Sequence, residues 1–81
     1  MPIRFDASLA HFEGDCTVEE ALPLNEWLLA ETSPAVDLRR CTGLHTALLQ
    51  LLLAARPALA SGPEDPFLAR WVAPLLEGPR G

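Results

Sequence analysis

Apolar and polar positions along this chain change period several times, and each change marks an element. From Ile3 to Cys16 the period is two: Ile3 and Phe5 stand against Arg4 and Asp6, and Leu9, His11 and Glu13 oppose Ala10 and Phe12. Such alternation predicts two short strands joined near Asp6 to Ser8 as a hairpin, the second closed by Gly14 and Asp15. Thr17 to Glu20 then has the form of a capping box, in which the Thr17 hydroxyl takes the Glu20 amide and the Glu20 carboxylate returns to Thr17. A helix is expected from there to about Glu31, with Val18, Ala21, Leu22, Leu24, Leu28 and Leu29 as its apolar stripe. Trp27 sits near the stripe's edge, Pro23 bends the helix, and Glu19, Glu20, Glu26 and Glu31 form a solvated face.

The middle of the chain is its most apolar part. After a turn at Thr32 to Pro34, Ala35–Leu38 reads as a third strand of interior type. Arg39 to Gly43 reads as a loop, and Leu44 packs inward ahead of a polar turn at His45 and Thr46. From Ala47 to Ala55 no residue is charged, so a second helix is predicted, with Thr46 as its N-cap. That helix is apolar almost all round and must be covered on more than one side. Arg56 and Pro57 close it, and Ala58–Ala60 gives a fourth, very short strand. Asp65 and Pro66 supply an N-cap and a proline at the first helical position. The third helix carries Phe67, Leu68, Trp71, Val72, Leu75 and Leu76 on one face, is kinked at Pro74, and stops at Gly78 and Pro79. The order β-β-α-β-α-β-α predicts a single α/β domain over residues 1–81, a four-stranded, mostly parallel sheet with helices packed on it.

Composition narrows the function. The chain has 81 residues and a net charge of −5, and all six of its basic residues are arginines. A phosphate-binding patch needs clustered cations, and only Arg39 and Arg40 are adjacent, so no nucleic-acid partner is expected. The run from Ala47 to Ala55 is far shorter than the ~20 residues that span a bilayer, so no membrane insertion is expected. The start, MPIRFDAS, lacks the apolar stretch of a signal peptide. Cys16 and Cys41 fit neither a disulfide framework nor a metal-ligand spacing, and read as half-buried thiols in a reducing cytoplasm. His11 reads as a structural histidine in a strand. No metal and no cofactor are expected. His45 beside a hydroxyl superficially resembles an activated pair, but no acid or oxyanion loop accompanies it, so no enzyme is expected.

The central stretch resembles the signature of the STAS domain, the anti-sigma-factor-antagonist family, whose strand, turn and helix run roughly V-D-L-S-x-V-x-x-I-D-S-S/A-G-L-x-x-L-L. Val36, Asp37 and Leu38 match its strand and Leu44 the apolar residue before its turn. Thr46 matches its phosphorylatable serine or threonine, Ala47 and Leu49 follow in step, and Leu52 and Leu53 match its helix. His45 stands where the pattern has aspartate, Leu48 where it has glycine, and Gln50 where a second small residue is common. The family's last strand and helix have no evident counterpart.

The resemblance implies a cytoplasmic protein–protein interaction module that docks on a regulatory protein, a serine kinase or an anti-sigma factor, through the turn and second helix. Thr46 is its phosphorylation candidate, and Arg39, Arg40, His45, Thr46, Leu48 and Leu49 its partner-binding residues. A phosphate there would add about −2 charge at a helix N-terminus, with Arg39 and Arg40 near the same edge. The alternative is a structural or oligomerisation subunit without a phosphoswitch. The apolar second helix and the face around Phe67, Trp71 and Leu75 also suggest a homodimer.

Overall fold

The computed structural model describes residues 2–77, and the expected stop at Gly78 and Pro79 lies outside them. Strands β1 (Ile3–Asp6), β2 (Leu9–Cys16), β3 (Ala35–Leu44) and β4 (Ala58–Ser61) form one sheet in the order β1-β2-β3-β4. β1 and β2 are antiparallel, while β2–β3 and β3–β4 are parallel. Helix α1 (Ala21–Ala30) connects β2 to β3, and α2 (Thr46–Ala55) connects β3 to β4. Both crossovers step the same way across the sheet, and right-handed crossovers then place both helices on one face. Burial agrees. Ile3, Ala10, Phe12, Val36 and Leu38 are buried on the helix side, whereas Arg4, His11 and Asp37 lie on the other face, opposite no helix in the alternation.

The hairpin turns through Ala7 and Ser8, with Ala7 at φ 55, a left-handed conformation that a residue with a Cβ adopts at a cost. Trp27 Nε1 donates to the Ala7 carbonyl at 3.1 Å and its ring lies 5.4 Å from that of Phe5, which ties α1 to this turn.

The start of α1 departs from the capping box. The Thr17 hydroxyl makes no cap hydrogen bond, and Val18–Glu20 winds as a 3₁₀ turn in which the Glu20 amide donates to the Thr17 carbonyl at 3.0 Å. Pro23 accounts for this, since it has no N–H for the carbonyl four residues back and its ring crowds that group. Glu20 is therefore buried rather than solvated, at 6% exposure, and its Oε1 has no partner among the described residues. Only Leu24 and Leu28 of the expected stripe are buried, with Ala21 partly so; Val18, Leu22 and Leu29 face solvent.

The largest difference from the sequence reading lies in β3. Arg39 to Gly43 do not loop out: the strand continues to Leu44. Ten residues of β3 run beside eight of β2, and the register slips twice, between His11 and Glu13 and between Gly14 and Asp15. Each slip admits one extra residue on β3, as a bulge does. The first slip shifts the inward phase from Val36 and Leu38 to Cys41, which leaves Arg39 and Arg40 both exposed. The Asp37 carboxylate braces it, Oδ1 accepting the Arg39 amide at 2.9 Å.

Cys16 and Cys41 are fully buried, not half-buried. Each thiol finds a carbonyl, Cys41 donating to Gly43 at 3.2 Å and Cys16 to Glu13 and Gly14 at 3.9 Å. The neighbouring Cys41 side chain and burial push the Cys16 thiol well above its usual range.

The last element is broken rather than bent. Asp65 Oδ2 caps it by accepting the Leu68 amide at 3.1 Å, with Pro66 at its first position. Pro74 cannot donate to the carbonyl four residues back, and the helix divides at Val72 into α3 (Pro66–Trp71) and α4 (Ala73–Glu77). Leu68, Val72 and Ala73 are buried, while Phe67, Trp71 and Leu75 are at least half exposed. Among the described residues no helix is long and apolar enough to cross a membrane.

Candidate functional site

The turn between β3 and α2 is built from the backbone outward. His45 is extended (φ −61, ψ 144) and is itself the N-cap, its Nδ1 accepting the Ala47 amide at 3.0 Å. Its carbonyl takes the Leu48 and Leu49 amides at 2.9 and 3.1 Å. Thr46 is thus the first helical residue and not the cap, with its side chain exposed. The correction has a simple cause. Imidazole, like a carboxylate, offers a lone pair one bond from the ring's attachment carbon, so His45 does here what aspartate does in good caps.

Leu48 is removed from the expected contact surface. It is 0% exposed and belongs to the core with Leu52, Phe12, Val36 and Leu38. A helix lying on a sheet must turn some positions fully inward, and Leu48 and Leu52, one turn apart, are those positions. Leu49 is partly buried against the same core.

Beside Thr46 runs a shallow groove of about 490 Å³ between the helices, walled by Ala21, Leu22 and Asn25 of α1 and by Ala47, Gln50 and Leu51 of α2. Leu22, 67% exposed, forms its apolar rim. The pattern reading of α1 placed Leu22 in the core; only the rotation of α1 about its axis, fixed by Leu24 and Leu28, shows it outside. On the other side of the turn, Asp15, Cys16, Thr17, Leu44 and His45 line a smaller hollow of about 210 Å³.

Arg39 and Arg40 do not belong to this turn's hollows. With Arg4, His11, Glu13 and Asp37 they line a separate, polar hollow of about 300 Å³ on the face of the sheet opposite α1 and α2. His11 and Asp37 are cross-strand neighbours, Nδ1 to Oδ2 at 3.1 Å, and Arg4 pairs with Glu13 at 3.3 Å. The Arg39 amide, then the His11 ring, hold the Asp37 carboxyl below the usual carboxylate range. The sequence alone did not join His11 to Asp37, because a cross-strand pair is visible only once register is known.

That depressed value sets a pH dependence. A carboxyl held low in the folded state contributes stability in full above its unfolded value near 4, and loses it as pH falls through the lower folded value. Asp37→Asn is therefore expected to cost on the order of 1 kcal/mol at neutral pH, with the gap to wild type closing below about pH 4. Urea unfolding between acid and neutral pH reads it; a gap constant across that range would contradict it.

Among the described residues no group of three His, Cys, Asp or Glu side chains is placed to hold a metal. No family model, no curated protein and no solved structure matches the chain.

Proposed function

We propose that this chain is a STAS-like interaction module, docking on a regulatory protein of the serine-kinase or anti-sigma type through the start of α2 and the α1–α2 groove, and released by phosphate on Thr46. The observation that carries the reading is the position of Thr46. It is exposed at the first turn of a ten-residue helix, next in sequence to Ala47, which walls an apolar groove.

The two sides of that position respond oppositely to charge. The helix end tolerates a dianion, because the first-turn amides and the dipole favour negative charge there. A protein packed over Leu22 and Leu51 would have to desolvate that dianion, at a cost that releases it. The switch needs no rearrangement of the domain. His45 and Thr46 are the contact residues at the turn, with Leu22 and Gln50 on the groove, and the reading assigns no catalytic residue and no cofactor. The mixed sheet, with its first strand antiparallel and helices interleaved among the rest, supports the STAS-like order. A cytoplasmic location accompanies a kinase partner.

A second reading, an oligomerisation subunit without a switch, draws support from the exposed stripe of Phe67, Trp71 and Leu75 on α3 and α4. Intact-mass measurement after incubation with ATP and the serine kinases encoded near the gene separates the two. One phosphoryl group on wild type and none on Thr46→Ala is expected. Wild type unmodified by every such kinase would leave the oligomerisation reading.

A further inference from the structure

We infer that the hollow on the face of the sheet opposite α1 and α2 is a binding site for a small organic oxyanion, a phosphate ester or polycarboxylate. It is independent of the proposed docking surface. Three guanidiniums, from Arg4, Arg39 and Arg40, face two carboxylates, from Glu13 and Asp37, in a chain whose net charge is −5. The local balance is the reverse of the global one.

The internal pairing decides which groups remain for a ligand. Arg4 is engaged by Glu13, and Asp37 by the His11 ring and the Arg39 amide. Among the described residues the Arg39 and Arg40 guanidiniums have no carboxylate at salt-bridge distance, though the Arg39 charge also acts on Asp37 from farther off. In a regular strand, neighbouring residues point to opposite faces. Here the first β3 slip leaves both exposed and on one hollow, so two planar forks, each suited to bidentate contact with a phosphate or carboxylate, border one space.

His11 adds a further recognition element. With Nδ1 turned to Asp37 at 3.1 Å, the outer ring nitrogen Nε2 is left for a polar group of a ligand. A volume of about 300 Å³ fits a small metabolite rather than a peptide segment. The surrounding net negative charge disfavours a polyanion such as nucleic acid. The ligand class is therefore a compact oxyanion that also carries a further polar group.

Citrate and glycerol phosphate serve as probes, titrated into labelled protein at matched ionic strength with chloride as the control, and read by amide chemical shifts. Saturable shifts confined to residues 4, 11, 13, 37, 39 and 40 are expected with at least one probe, and the tighter one identifies the carboxylate or phosphate source. The double variant Arg39→Ala with Arg40→Ala, both side chains exposed, is expected to weaken binding by about tenfold or more. Glu13→Gln is expected to tighten it, since it removes a competing carboxylate and frees Arg4; a folding defect could not produce that gain. Arg70→Ala, elsewhere on α3, is expected to change nothing. Shifts that stay linear with both probes, or equal effects of the Arg70 and Arg39–Arg40 variants, would overturn the site.

Discussion

Leu48→Ala is expected to destabilise the domain by about 3 kcal/mol. The side chain is completely buried in the core cluster that also holds Phe12, Val36, Leu38 and Leu52, and truncation leaves a cavity that the surrounding sheet and helices cannot fully close. For a chain of this length, whole-domain stability is roughly 4–12 kcal/mol, so this single change removes a large share of it. Urea denaturation at unchanged m-value is the measurement. The useful control is Leu22→Ala, an equal truncation on the exposed rim of the groove, expected to fall within about 0.5 kcal/mol of wild type. If the two variants were alike, the orientation assigned to α2 would be wrong, and with it the placement of the α1–α2 groove.

Thr46→Glu is expected to act in two directions at once. A negative charge at the first helical position interacts favourably with the α2 dipole, so the isolated domain should be unchanged or more stable by about 0.5 kcal/mol. The same charge pressed into an apolar contact should weaken binding of the regulatory partner on the order of a hundredfold. Thr46→Ala should leave both nearly unchanged, because the cap belongs to His45 and not to the threonine hydroxyl. A residue that served only the helix would show the stability effect alone. Paired denaturation and calorimetric titration of the two variants read both quantities.

These two residues also mark how far the sequence was legible. Period and punctuation were enough for the hairpin, the strand starts at Ala35 and Ala58, the Asp65 cap and the interruption near Pro74, because each depends on local chemistry. What failed depended on strand register, on which side a helix turns inward, or on how its first turn winds. Arg39 and Arg40 break the alternation, and a pattern reading takes a broken alternation for a loop; the bulge that absorbs them is set by the pairing of β3 with β2. Leu48 looked like a surface contact because α2 is apolar all round, so its pattern does not say which side meets the sheet. Glu20 looked solvated for the converse reason: acids in a first turn suit the dipole, and only the 3₁₀ winding ahead of Pro23 turns this one inward. The α1–α2 groove needed two helices in position at once, and the polar hollow needed three strands.

A regulatory partner is proposed to dock at the start of α2 and along the α1–α2 groove. Amide-resolved titration of the labelled domain with each purified regulatory protein that its gene neighbourhood encodes is the direct test. Broadening and shifts at residues 21, 22, 25, 45–47, 50 and 51, abolished by Thr46→Glu, are expected. Perturbations centred on Phe67, Trp71 and Leu75, with the α2 turn silent, would contradict it.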